Sequence, residues 1–305
     1  MTSLTITIIV IFVTAFVVAY LKATWRDRCL KDLEGFPVII SLKDGKTVWG
    51  TMNLESTGML LRYSRPHKSG SHFETGFIIY KNEYAGVKAI YRILSDLDDA
   101  QRKKREMKTL LSRSGFFIAV RRMIRNFFAA VRDGVVESMK LLIGQVTPKS
   151  SVLSGKDKYV SRMGESFVDY IGNSYDPLLE KLIGRRVVYE RFEEGSWREH
   201  TGILQNYTKD FLEIINTSTP VHITLSPRRS KNIHLGIEIE RKDDSVVVMN
   251  HRQTSIKILS SDEEHILEPG QKKAINVSEN ITIELNEEID VVFPRSEVIV
   301  RHTVD

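Results

Sequence analysis

One pattern occurs twice in this chain and constrains its fold more than any other feature. Residues 38–63 read VIISLKDGKTVWGTMNLESTGMLLRY and open with the alternating apolar Val38, Ile40 and Leu42. Lys43-Asp44-Gly45-Lys46 is a hairpin signal, because Asp-Gly supplies the positive φ of a tight turn. Gly50 comes five residues after Gly45, where a strongly bent strand leaves no room for a Cβ. An apolar run from Met59 to Leu61 follows, and Phe77 to Tyr80 and Val87 to Ile93 supply two more strands. Residues 187–215, VVYERFEEGSWREHTGILQNYTKDFLEII, repeat the plan, with Gly195 for Gly45 and Gly202 for Gly50. The spacing after the bend matches Met59-Leu60 to Phe211-Leu212. A short helix is expected before each copy. The second has Asp176 as N-cap, Pro177 at the first helical position, and Leu178 to Ile183 after it.

Helix, strand, Asp-Gly hairpin, bent strand with an inner glycine and a further strand together resemble the Sm/LSm-like small β-barrel. The first copy covers roughly residues 26–94 and the second roughly 175–227. The resemblance implies two small barrels. RNA-binding members carry an Asp shortly after the bend glycine and an Asn four residues beyond it. Those places hold Ser56 and Leu60 in one copy, Thr208 and Leu212 in the other. The family's Arg-Gly dipeptide is missing near Tyr91-Arg92. The resemblance therefore carries the fold further than it carries an RNA contact.

Leu4 to Tyr20, LTITIIVIFVTAFVVAY, is 17 residues without a charge. As a helix it spans roughly 26 Å, just short of a ~30 Å hydrocarbon core. Lys22 is placed to snorkel and Trp25 to sit at the interface. A cleaved signal peptide would carry its positive charge before the apolar run. Here Lys22, Arg26, Arg28 and Lys31 follow it instead. The expectation is a single-pass anchor over residues 1–24 in the cell inner membrane, N-terminus outside and body cytoplasmic.

The net charge of +5 is modest, but it is concentrated. Between Gln101 and Arg132 stand Arg102, Lys103, Lys104, Arg105, Lys108, Arg113, Arg121, Arg122, Arg125 and Arg132, with Glu106 as the only acid. Phe117, Val120, Ile124, Phe128, Val131, Val135, Met139 and Leu142 recur at steps of three and four and form one helical face, flanked by Phe116 and Phe127. Apolar residues on one side and arginines on another are the composition of an interfacial membrane helix. On that reading the ten basic residues bind the lipid surface, and Phe116, Phe117, Ile124, Phe127 and Phe128 insert. Packing on the body, self-association and nucleic-acid binding are the alternatives.

From Asn232 onward alternating strands at short spacing argue for a β-sandwich of about seven strands, among them Val291 to Phe293 and Val298 to Val300. A search for chemistry finds no phosphate loop, dinucleotide fingerprint, nucleophile elbow or HExxH. The eight histidines are dispersed, and Cys29 is the one cysteine. Glu193-Glu194, Glu263-Glu264 and Glu287-Glu288 sit in turn-like sequence and read as solvated charge.

The expected architecture is thus mainly β with helices. It comprises an anchor (1–24), a first Sm-like barrel (25–97), a basic amphipathic helical segment (98–148), a linker (149–174), a second Sm-like barrel (175–230) and a C-terminal β-sandwich (231–305). The expected function is a non-enzymatic membrane-anchored scaffold or assembly protein, without cofactor or metal, binding membrane lipid and protein partners, including further copies of itself as a homo-oligomer. A membrane-associated RNA-binding protein and a channel-associated subunit are the alternatives.

Overall fold

The computed structural model describes residues 26–69, 71–113, 176–193, 195–227, 232–242, 245–259, 264–276 and 280–304, together with Phe16. Apart from Phe16, the expected anchor lies outside these residues, and so does most of the amphipathic segment. No helix among the described residues is long and apolar enough to cross a membrane.

Helix α1 (Arg28–Asp32) starts at Asp27, whose carboxylate accepts from Leu30 N at 3.3 Å, and buries Cys29 and Leu30. Strands β1 (Pro37–Leu42), β2 (Thr47–Leu54), β3 (Gly58–Ser69) and β4 (His72–Tyr80) follow as antiparallel neighbours. A 3-10 turn, Lys81–Gly86, leads to β5 (Val87–Ile93), which returns to pair with β1. The long helix α2 (Asp99–Arg113) comes next. The second copy opens with α3 (Pro177–Leu182), capped as expected by Asp176, which accepts from Leu178 N at 3.0 Å and Leu179 N at 3.2 Å. Its first strands are β6 (Arg186–Glu193), β7 (Ser196–Tyr207) and β8 (Phe211–Thr217).

The bend glycines behave alike. A Cβ on Gly50 would lie 2.6 Å from the Arg62 carbonyl oxygen, and one on Gly202 would lie 2.4 Å from Ile214 Cγ2. The hairpins are therefore the same device, but their residue match moves by one. The β7–β8 register shifts between Leu204 and Asn206, so Tyr207 faces Leu212 as Leu54 faces Met59. A one-residue bulge of this kind leaves no mark in apolar spacing.

The remaining strands are β9 (Val221–Leu225), β10 (Asn232–His234), β11 (Ile237–Lys242), β12 (Ser245–Asn250), β13 (Ile256–Leu259), β14 (Glu264–Leu267), β15 (Lys272–Asn276), β16 (Ile281–Leu285), β17 (Ile289–Pro294) and β18 (Val298–Thr303). Two four-stranded antiparallel sheets, β10-β11-β12-β15 and β14-β13-β16-β9, bury alternate residues in a common core. Ile237, Ile239, Val246 and Val248 come from one, Ile223, Ile256, Ile258 and Ile283 from the other.

Two expectations change here. The chain crosses the boundary expected near residue 230 in both directions: β9 joins the C-terminal sheets, while β17 and β18 leave them for the sheet of the barrel modules. No strand pairing among the described residues closes a barrel. The five strands of the first copy, β6 to β8 of the second, and β17 and β18 form one sheet, ordered β18-β6-β7-β8-β17-β5-β1-β2-β3-β4. The reason is that a strand has two edges. β5 gives one to β1 and the other to β17, and β17 gives its own to β8 and β5, so neither is left to close on its own module.

The middle of this sheet is covered on both faces. Ile289, Val291 and Phe293 of β17 enter the core shared with the C-terminal sheets, while Val292 enters a second core with Cys29, Leu30 and Leu33. Burial on both faces explains the runs Val291-Val292-Phe293 in β17 and Ala89-Ile90-Tyr91 in β5, where an edge strand would alternate.

Candidate functional site at the joint between the half-sheets

The joint where β17 meets β5 sets a charge inside the core. Asp290 lies directly opposite Arg92 in the register and is fully buried. Its Oδ2 accepts from Arg92 Nε at 3.0 Å, Arg92 Nη2 at 2.5 Å and Arg105 Nε at 2.6 Å. Its Oδ1 accepts from Arg105 Nη2 at 2.7 Å and from Asn216 N at 3.1 Å. Asn216 reaches this place through a φ of +53°, a region that Asn tolerates better than most residues, beside the register shift between β17 and β8. Burial pushes the Asp290 carboxyl up, but the hydrogen bonds from Arg105 and the charges of both arginines outweigh it and hold it below its ordinary value. Four elements meet at this one carboxylate: β5, β17, the end of β8, and α2.

Helix α2 is fastened elsewhere too. Lys108 Nζ donates to Lys31 O at 3.2 Å and Asp32 O at 3.1 Å, and Arg92 Nη1 donates to Asp32 O at 3.2 Å. These carbonyls end α1, where cations are favoured. Lys104 Nζ donates to Glu34 O at 3.4 Å. Arg92, Lys104 and Lys108 also stand 4.5, 5.0 and 5.4 Å from the centre of the Phe36 ring. Arg102 donates to Leu97 O at 3.0 Å.

The structure thus gives the basic residues read as lipid-facing two destinations. Arg105 and Lys108 are partly buried and hold the helix to the body, with Arg102 and Lys104 tied at its edge. Lys103 is exposed, beside Met107 and Leu110, which are 63% and 69% exposed. Arg113 is the last residue of α2. Arg121, Arg122, Arg125, Arg132, Phe116, Phe117, Ile124, Phe127 and Phe128 lie outside the described residues.

A second buried cation fixes the C-terminal sheets to the loop before α2. Arg252 donates to Glu287 Oε1 from Nε at 2.9 Å, to Asp96 Oδ1 at 2.7 Å, and to Leu235 O at 2.7 Å. Ser95 and Thr254 also donate to Glu287. Glu287 therefore corrects the reading of Glu287-Glu288 as solvated charge: it is 7% exposed, and bonds from Arg252, Ser95 and Thr254 overcome its burial and lower its carboxyl pKa. Cys29 is fully buried, its Sγ 3.8 Å from Phe211 O, and burial pushes its thiol well up.

Asp290, Arg92 and Arg252 were not singled out as site residues in the sequence, and Glu287 was read there only as solvated charge. A signal existed for the first two: IDVVFP and AIYRIL each set one charge in an apolar run, and a charge in a buried strand needs a partner. Which partner it takes depends on pairing between residues 198 apart.

Both ends of the ten-stranded sheet are unpaired edges among the described residues: β4 at one, β18 at the other. Both carry exposed apolar side chains, Phe73 (68%), Ile78 (52%) and Tyr80 (53%) on β4 and Ile299 (36%) on β18. Among the described residues no group of three or more His, Cys, Asp or Glu is placed to hold a metal ion. No protein-family model, curated protein or solved structure matches this chain.

Proposed function

We propose that this chain is a non-enzymatic scaffold, held in a membrane by the apolar run Leu4 to Tyr20, with its body on the cytoplasmic face. The body binds protein partners through sheet edges and lipid through the basic segment that continues from α2. The observation that carries this reading is the ten-stranded sheet itself. Its buried ion pair, Asp290 and Arg92, is engaged in joining elements, while its two open edges present apolar side chains. Unpaired edges of this kind are surfaces for strand addition.

Each half-sheet holds five antiparallel strands preceded by a short helix, which supports reading both as Sm-like modules that share an opened sheet. The fastening of α2 by Arg105 and Lys108 supports a fixed departure point for residues 114–144, whose Arg121, Arg122 and Arg125 remain the candidate lipid contacts.

Vesicle flotation of residues 25–305 tests the lipid half of this reading. The body is expected to float with anionic vesicles at low salt, to stay down with neutral ones, and to lose flotation when Arg121, Arg122 and Arg125 are changed to Glu. A body that remains in solution under every condition contradicts it.

A further inference from the structure

The two halves of the ten-stranded sheet carry their strands in one spatial order, β5-β1-β2-β3-β4 and β18-β6-β7-β8-β17. Their registers bring them into residue correspondence. Val38 faces Gly50 as Val187 faces Gly202. Ile40 faces Ile90 as Tyr189 faces Val300. Met59 faces Ile79 as Leu212 faces Phe293. So β17 is the counterpart of β4, and β18 of β5. Val292 matches Ile78, and Ile90 matches Val300. Strands β9 to β16 are an insertion between the third and fourth strands of the second half.

The halves are joined head to tail. The fourth strand of one, β17, pairs with the fifth strand of the other, β5, with Val292 opposite Ile90. That joint uses one edge of each type and leaves one of each type open, β4 and β18. The corresponding residues differ in burial as a used and an unused joint should. Val292 and Ile90 are fully buried, whereas Ile78 is 52% exposed and Val300 is half-buried. Strand β4 has no proline, lysine or arginine to discourage pairing within its bounds, HFETGFIIY.

We propose that a second copy of this chain lays its β18 along the open edge of β4, repeating between chains the joint that β17 and β5 make within one. This inference rests on the scaffold reading and names its partner. Transferring the internal register sets Ile78 opposite Val300 of the neighbouring chain, with Ile79 beside Ile299. A heterologous contact of this kind leaves an open edge on every added copy, so chains add until a ring closes or continue as a filament. The joint between chains is weaker than the one within. Gly76 and Thr303 stand where Asp290 and Arg92 stand, so the buried ion pair has no counterpart there, and association is reversible and concentration-dependent.

The test uses the full chain in detergent micelles. Sedimentation velocity is expected to show multimers growing with protein concentration. Ile78→Lys should weaken association about tenfold or more, because it sets a charge into the joint, with an unchanged melting transition showing that the fold is intact. Two variants then read the geometry, Ile78→Cys in one preparation and Val300→Cys in another; the native Cys29 is fully buried and silent. Under oxidation they should cross-link when mixed, and neither with itself. A chain that is monomeric at every concentration overturns the proposal, and so does an Ile78→Cys chain that links to itself as readily as to its partner. A monomer that resists carbonate extraction and floats with vesicles overturns the joint alone and leaves the scaffold reading standing.

Discussion

Asp290 stands opposite Arg92 across the β17–β5 pair and also receives Arg105 from α2, so one carboxylate joins the two half-sheets and fixes the helix that leaves them. Both arginines lose their buried partner if it is removed. Asp290→Ala is expected to destabilise the protein by about 3–5 kcal/mol, the usual cost of breaking a buried ion pair from one side. Urea denaturation measures this; a loss under about 1 kcal/mol would place the carboxylate outside the cooperative core.

Arg105 reaches the same carboxylate from a more exposed side, with its side chain 14% exposed. Arg105→Ala should therefore act locally and cost about 1.5–3 kcal/mol. Hydrogen exchange should speed up in α2 while β5 and β17 keep their protection. Equal loss in all three would mean that the helix and sheet open as one unit.

The pH dependence has two opposite parts. Asp290 and Glu287 have lowered carboxyl pKa values: in each, burial raises it and arginine partners lower it further, joined at Glu287 by the hydroxyls of Ser95 and Thr254. Their contribution is full above the ordinary carboxylate range and is lost as pH falls through the depressed folded values. Asp290→Asn should flatten that acid limb of a denaturation-versus-pH curve.

Glu213 contributes with the other sign. It is fully buried opposite Val292, its Oε2 has no hydrogen-bond partner among the described residues, and burial together with Asp32 raises its pKa well above the ordinary value. Its contribution is full below the ordinary glutamate value and declines as pH rises through the raised folded value. Glu213→Gln, which keeps the shape without the titration, should raise stability at neutral and higher pH and leave it nearly unchanged in acid. An identical pH profile for the two proteins would show that Glu213 is ionised in the fold.

The bend glycine can be tested against an open one. Gly50→Val drives a side chain against the backbone carbonyl of Arg62 and should cost about 1–3 kcal/mol. Gly86→Ala meets nothing within 4 Å and should change stability little.

The local devices were readable in the sequence and their assembly was not. Asp-Gly at 44–45, the inner glycines 50 and 202, and Asp176-Pro177 act as their chemistry demands, because each depends on neighbours within about a dozen residues. The return of β17 and β18 to the second half-sheet was hidden, since IDVVFP suits a buried strand of any sheet and only its partners distinguish them. The site was hidden for the same reason. Arg105 reads as one more cation in a basic run, and the partner that turns it inward lies 185 residues away.

Membrane attachment with a cytoplasmic body is the central claim, and topology tests it directly. Cells expressing the full chain with a C-terminal tag would be broken into inverted and right-side-out vesicles, washed with alkaline carbonate, and treated with protease. The account predicts that the chain stays with the vesicles after the wash and that the tag is cut only in inverted vesicles. Release by carbonate, or a tag cut only in right-side-out vesicles, would contradict it.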